Sequence, residues 1–323
     1  MKVLVTQKIP EEAIRLLKAN SLEIEYNKEG KLSKEELIER IKDKDGVLCL
    51  LTDIFDREVI ESAKNLKVIA NVAVGYDNID VKTATKRRIM VTNTPDVLTE
   101  TTADLTFALI LSTARRVTEA DRFVREGKFR GWDIFGFLGY DVYGKTLGIY
   151  GMGRIGLAVA RRGKFGFNME VIYHDVKRNE IAEKEIGAQF VSFDELLERS
   201  DFLTIHVPLT EETRHRFTKD ELRKMKRTAF LINTARGPIV KEDDLVWALK
   251  RGWIRGAGLD VYEFEPAVHE ELKKMENFVT LLPHIGSATV ETRTKMAVTA
   301  AKNLITALKG EIPPNLVNKE IIS

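Results

Sequence analysis

Three side chains of complementary chemistry, Arg236, Glu265 and His284, each follow a short apolar run. Ala229 to Asn233 gives way to Thr-Ala-Arg-Gly-Pro238, Gly256 to Leu259 to Asp-Val-Tyr-Glu-Phe-Glu-Pro266, and Phe278 to Leu282 to Pro-His-Ile-Gly-Ser287. If these runs are parallel strands, their carboxyl ends share the edge at which open α/β sheets bind ligands. A planar guanidinium grips a carboxylate with two hydrogen bonds and polarises an adjacent carbonyl. Imidazole exchanges its proton near neutral pH, and a neighbouring carboxylate favours the protonated form. Together they suit the reduction of a 2-oxo acid. Singly, Arg236 could cap a carbonyl, Glu265 could be a surface acid, and His284 could be a satisfied histidine after a proline. Three such residues at adjacent strand ends, beside a dinucleotide turn, argue for a shared role instead.

Reduction needs a hydride source, and Thr146-Leu-Gly-Ile-Tyr-Gly-Met-Gly-Arg-Ile-Gly156 supplies a place for one. Gly151, Gly153 and Gly156 follow an apolar strand, and Arg154 and Ile155 open a helix running to Arg161, so amides and a helix N-terminus would face a pyrophosphate. A second strand ends at Asp175, nineteen residues after Gly156, where an acid is expected on the adenosine ribose hydroxyls. Its charge would repel the 2′-phosphate of NADP, which favours NAD (NADH). Lys177 and Arg178 lie close enough to receive that phosphate, so NADP remains the alternative. Of the other histidines, His215 and His269 sit in charged helical stretches and read as solvated. His174 and His206 end strands, where packing or contact with the cofactor loop suffices. No metal-ligand spacing occurs and no metal is expected.

These groups need a parallel sheet behind them. Strand-like runs at Lys2 to Thr6, Leu22 to Tyr26, Gly46 to Leu51, Leu66 to Ala70 and Ile89 to Asn93 alternate with helical spacing at Pro10 to Asn20, Ser33 to Asp43 and Asp56 to Lys64. A long helical pattern runs from Thr99 to about Gly127, and an aromatic- and glycine-rich loop, Phe129 to Gly144, precedes the glycine turn. A second βα series follows. The last helical pattern, Thr289 to Lys309, is spare and can return to the first series. The fold class expected is α/β with two doubly wound parallel-sheet domains: a flavodoxin-like substrate domain of residues 1–98 plus 290–323, and an inserted Rossmann dinucleotide-binding domain of residues 99–289.

A chain of 323 residues suits two such cores. Its 51 Lys plus Arg against 49 Asp plus Glu leave a formal charge of +2, which argues against nucleic-acid or membrane-surface partners. The basic run Arg214 to Arg227 is interrupted by Asp220 and Glu221 and reads as a solvated helix face. Cys49, the single cysteine, sits in an apolar run and reads as a small buried hydrophobe. With no signal-peptide pattern or bilayer-length apolar run, the expected location is cytoplasmic. Abundant Lys and Glu with two Gln lean toward a thermophilic source.

Over nearly its whole length the chain resembles the D-isomer-specific 2-hydroxyacid dehydrogenases. The resembling segments are Ala73 to Asp80 (AVGYDNID), GMGRIG at Gly151, Asn233 to Gly237 (NTARG), Gly258 to Glu263 (GLDVYE) with Glu265-Pro266, and Pro283 to Ala288 (PHIGSA). The resemblance implies a homodimer and assigns roles by position. Arg236 binds substrate carboxylate and carbonyl, His284 is the acid/base, and Glu265 tunes it. Thr102 and Asp260 match positions contacting the nicotinamide, and Thr234, Ala235 and Gly286 fall in the matched motifs and join the glycine turn and Asp175 as cofactor-binding candidates. Val74 and the Gly75 backbone match the substrate carboxylate loop, with Leu51 and Thr52 lining the pocket and the Trp132 loop of a second subunit as a further candidate. Asn71 to Asp77 and Phe137 to Gly144 look most like glyoxylate or hydroxypyruvate reductases. Phosphite dehydrogenases carry lysine where Val74 stands, phosphoglycerate enzymes an arginine near Asn71, and formate dehydrogenases glutamine at Glu265. Glyoxylate reductases of similar source often favour NADPH, with Ser and Arg where this chain has Asp175 and Val176.

The expectation is therefore NAD(P)H-dependent reduction of glyoxylate or hydroxypyruvate. The alternatives are a D-lactate or other D-2-hydroxyacid dehydrogenase, and a non-catalytic NAD(H)-sensing protein of the same fold.

Overall fold

The structure is a computed structural model that describes residues 1–322. Contacts divide it into one unit of Met1–Leu98 with the chain from Ser287 onward, and a second of Thr99–Gly286.

In the first unit, β1 (Lys2–Val5), β2 (Glu23–Tyr26), β3 (Gly46–Cys49), β4 (Val68–Asn71) and β5 (Met90–Thr92) form a sheet in the order β2-β1-β3-β4-β5. Every pairing is parallel. Strands β3 and β4 are buried at every position, because crossover helices cover both faces of such a sheet. One of the covering helices is Val290–Leu308, capped by the Thr289 hydroxyl accepting from the Thr292 amide. Its stripe Met296, Ala297, Ala300, Ala301 and Leu304 packs on Val3, Val5 and Leu48. A side chain at Gly46 would meet Leu304 at 3.1 Å, so glycine there lets the helix settle on the sheet. Beyond it, buried Asn318 accepts from the Val91 amide and donates to the Ile89 carbonyl, fastening the chain to β5.

The second unit holds β6 (Thr146–Tyr150), β7 (Glu170–His174), β8 (Gln189–Phe190), β9 (Phe202–Ile205), β10 (Phe230–Asn233), β11 (Gly256–Leu259) and β12 (Val279–Leu281), ordered β12-β11-β10-β9-β6-β7-β8. All pairings are parallel. Sequential strands run outward from β6 in one direction and then, from β9, in the other, so the crevice of this sheet opens between β6 and β9.

The helical pattern from Thr99 to Gly127 is two helices, Thr99–Ala114 and Val117–Arg125, separated by Arg116 in the left-handed conformation at φ 57°. The guanidinium of Arg116 binds Glu119 through two nitrogens and lies over the Phe137 and Phe278 rings. The Tyr140 amide takes the Ala114 carbonyl that a continuing helix would have used. The two rings and the Tyr140 amide break a helix that local spacing would continue. Strand β8, two residues long, carries too little pattern to be read from sequence. Among the described residues, no helix is long and apolar enough to cross a membrane, and no group of His, Cys, Asp and Glu could hold a metal ion.

Candidate active site

The residues at the carboxyl edge of the second sheet are held by one another's backbones. At the end of β10, buried Asn233 accepts from the Ala235 amide and donates to the Arg236 carbonyl, folding the chain back so that Arg236 leaves the strand end. Its next neighbour must be glycine, because a Cβ on Gly237 would lie 1.9 Å from the Tyr262 carbonyl. The Arg236 loop thus packs directly against the loop that carries Glu265.

Strand β11 ends in Asp260, which is fully buried. Its two carboxylate oxygens accept the amides of Ile285 and Gly286, each at 2.7 Å. Burial raises its pKa, and those two amides with the nearby His284 pull the other way. The consequence is local: His284 stands immediately before those amides and adopts a left-handed conformation, φ 55°. Such a conformation costs a residue bearing a Cβ about 1 kcal/mol or more, and Asp260 holds the turn in it. Thr102 adds a hydroxyl donated to the Gly286 carbonyl at 3.2 Å, and the buried Thr106 and Thr234 hydroxyls meet at 3.1 Å.

So presented, His284 Nδ1 lies 2.9 Å from Glu265 Oε2, while Glu265 Oε1 accepts from the Tyr262 amide at 3.0 Å. Burial opposes ionisation of Glu265, but the hydrogen bond and charge of His284, the Tyr262 amide and the Arg236 charge outweigh it and hold the carboxyl below its usual range. Glu265 is therefore an anion at neutral pH. It occupies Nδ1 of the imidazole and leaves Nε2 to exchange a proton with a ligand. His206 is no competitor for that role, since burial drives its imidazole down to about 3 and leaves it neutral.

At the crevice end of β6, the three glycines of the turn have different reasons for being glycine. Gly151 has φ 100°, and a Cβ there would press on the His206 backbone at 2.8 Å; one on Gly156 would lie 2.1 Å from the Gly151 carbonyl. Gly153 has an ordinary φ of −75°, and a Cβ there would meet nothing within 4 Å. The fold does not require glycine at that point, whereas a pyrophosphate approaching the backbone at a helix N-terminus does. The residues present thus fit a dinucleotide. Arg154 and Ile155 form the first turn of the helix, with Arg154 exposed and Ile155 packed on the core beneath. Asp175, at the end of β7, accepts the Met152 amide on Oδ2 and the Val176 amide on Oδ1. Asn179 braces the same turn by donating to the Met152 carbonyl.

A family model described as the NAD-binding domain of D-isomer-specific 2-hydroxyacid dehydrogenases matches residues 107–286. A glyoxylate reductase of Korarchaeum cryptofilum is 55% identical over 99% of this chain and 97% of its own length. The chain belongs to the D-isomer-specific 2-hydroxyacid dehydrogenase family. A solved protein of Thermus thermophilus has 44% identity and a TM-score of 0.92, covering 98% of this chain and 100% of that one. The NADPH-dependent glyoxylate/hydroxypyruvate reductase of Sinorhizobium meliloti, solved with NADP and malonate, has 33% identity and a TM-score of 0.86, with 98% and 96% covered. As a family member the protein is an oxidoreductase that binds a nicotinamide dinucleotide and reduces a 2-oxo acid.

In this dehydrogenase the structure brings Arg236, Glu265, His284, Asp260, Thr102, Thr234, Ala235 and Gly286 together at the ends of β10 to β12 within the second unit. Leu51, Thr52, Val74 and Gly75 follow β3 and β4 in the first unit, at the carboxyl edge of that sheet. There a polar network that sequence reading missed joins the two loops. Buried Asp53 accepts from Thr6, Gln7 and the Leu50 amide, Asn78 donates to the Leu50 and Asp53 carbonyls, and Asn71 donates to Asn78 and to the Gly75 carbonyl. Two expectations are revised. His215, read as solvated, lies 2.6 Å from Glu263 through Nε2, and His269 pairs with Asp243 and accepts the Glu271 amide. Their partners come from elements distant in sequence, which spacing does not reveal.

Proposed function

We propose that the protein reduces glyoxylate or hydroxypyruvate with NADH, as a cytoplasmic homodimer. The observation that carries the reading is the Glu265–His284 pair standing within the electrostatic reach of Arg236. Arg236 grips the substrate carboxylate and polarises the adjacent carbonyl. When bound, the reduced nicotinamide supplies the hydride to the carbonyl carbon. His284, held by Glu265, gives its proton to the carbonyl oxygen as charge develops there, and Glu265 stabilises the imidazolium before that transfer. The proposed cofactor-binding residues are Thr102, Gly151, Gly153, Arg154, Ile155, Gly156, Asp175, Thr234, Ala235, Asp260 and Gly286. Leu51, Thr52, Val74 and the Gly75 backbone are the proposed substrate residues of the first unit, which acts as the substrate domain.

Three observations support NADH over NADPH. The Asp175 carboxylate stands at the end of β7, Val176 beside it offers no cation, and Arg178 is engaged by Glu183 through two bonds of 2.9 Å. The homodimer reading is supported by the apolar loop after the Val117–Arg125 helix, where Trp132 is 83% exposed and Phe135 is 77% exposed, a patch that a soluble surface seldom leaves uncovered.

The test is turnover by purified protein with NADH or NADPH against glyoxylate, hydroxypyruvate, pyruvate and 2-oxoglutarate, with sedimentation for the assembly state. Fastest turnover with NADH and glyoxylate or hydroxypyruvate is expected. Turnover with NADPH alone would overturn the cofactor assignment, and preference for 2-oxoglutarate would overturn the substrate.

A further inference from the structure

Arg236 and Glu265 leave different strands, yet their relative placement decides whether one substrate can be gripped and protonated at once. Behind them the two loops are joined by a reciprocal pair of carboxylates. The Glu242 amide donates to Glu263 Oε2 at 2.9 Å, and the Glu263 amide donates to Glu242 Oε1 at 2.6 Å. Glu242 is 4% exposed and begins the helix that follows the Arg236 loop; Glu263 stands two residues before Glu265. The remaining oxygen of Glu263, Oε1, faces His215 Nε2 at 2.6 Å. His215 is itself tied to the Arg236 loop, its amide donating to the Pro238 carbonyl at 2.8 Å. Its left-handed backbone, φ 51°, turns the imidazole toward Glu263. With Gly237 permitting backbone contact between the loops, residues 215, 237–242 and 262–265 form one hydrogen-bonded block.

We propose that Glu263, held between His215 and the Glu242 amide, is a positioning residue that sets the placement of Glu265 relative to Arg236 for the reduction. This rests on the reading of Arg236, Glu265 and His284 given above. Neither oxygen of Glu263 is spare, since each already accepts a hydrogen bond. Glu263→Gln keeps the shape but removes the charge, and its NH2 group either faces the Glu242 N–H or replaces the acceptor at His215, where the imidazole must switch tautomer to receive it. One charge-assisted bond of the block is then lost or exchanged for a weaker neutral one, and the Glu265 loop shifts. A displacement of an ångström between reacting groups costs on the order of a hundredfold in rate, whereas the glycine turn and Asp175 belong to other loops and keep their affinity for dinucleotide.

The experiment is steady-state kinetics of glyoxylate reduction by the full-length protein and its E263Q, E265Q, E263Q/E265Q, H215L and H215Q variants, with NADH binding measured for each. The expected result is a roughly 10- to 100-fold lower kcat/KM in E263Q with NADH affinity within about twofold of wild type. In the E265Q background the added loss from E263Q shrinks, since Glu263 acts through Glu265. H215L shows a smaller loss that H215Q, which retains an N–H donor, largely restores, and this pair decides the matter should E263Q fail to fold. Wild-type kinetics in E263Q, a loss equal in both backgrounds, or H215Q no better than H215L would each overturn the proposal. His284→Asn separates the two levels: if it turns over like wild type, the reading of the site fails; if it is inactive while E263Q is normal, only this inference fails.

Discussion

Gly153→Ala should separate the needs of the fold from those of the ligand. The backbone at Gly153 has φ −75°, open to any residue, and the added methyl would have no neighbour within 4 Å. Alanine at a compatible site lowers the entropy of the unfolded chain, worth about 0.4–1 kcal/mol, while glycine is a better helix N-cap than alanine by a similar amount. The two nearly cancel, so stability should stay within about 1 kcal/mol of wild type. The methyl instead occupies the space through which a phosphate reaches the amides of the turn. Loss of one hydrogen bond to a charged group, about 1.5–3 kcal/mol, lowers affinity roughly 10- to 150-fold. Gly156→Ala is the contrast: its methyl would sit 2.1 Å from the Gly151 carbonyl, and overpacking of that kind costs about 1–3 kcal/mol or more. Urea unfolding without dinucleotide and titration of NADH by its fluorescence give the two quantities for each variant. NADH affinity unchanged in a stable G153A protein would refute the reasoning, because no packing effect could then explain glycine at that position.

Three further outcomes are expected. Asp260→Asn places an NH2 against the Ile285 or Gly286 amide, and the lost bond plus a buried unpaired donor should cost about 2–4 kcal/mol; kcat/KM should fall by at least about tenfold, with faster hydrogen exchange at those two amides. Because the folded Glu265 pKa lies below its unfolded value of 4.5, its ionised form stabilises the protein above that value, and this contribution is lost as pH falls through the folded pKa. The unfolding free energy of wild type relative to E265Q, measured across pH, should therefore be constant near neutrality and shrink below 4.5. Replacing Asp175 by Ser and the exposed Val176 by Arg removes a repulsion and adds a phosphate partner, so the preference for NADH over NADPH, compared as kcat/KM, should fall by about a hundredfold.

The site was legible where chemistry and strand position coincide. Arg236, Glu265 and His284 could be placed on one sheet edge because each follows an apolar run, and parallel strands deliver their carboxyl ends together. The glycine turn was legible from the strand, helix and acid around it. What stayed hidden depends on contacts distant in sequence. Nothing near Asp260 signals that it clamps the His284 turn through the amide of Ile285, 25 residues later, and the Glu242–Glu263 pair joins segments 21 residues apart. The break at Arg116 has the same origin: local spacing continues the helix, and Asn277, two aromatic rings and the Tyr140 amide end it. Strand β8 was missed because two residues carry no period.

The most direct test of the account is the rate of glyoxylate-dependent NADH oxidation by His284→Asn beside wild type, at saturating NADH. Removing a general acid that Glu265 holds in place should lower kcat by about 10²- to 10⁴-fold while NADH still binds. Turnover at the wild-type rate would contradict the assignment of His284, and with it the mechanism built on the ends of β10, β11 and β12.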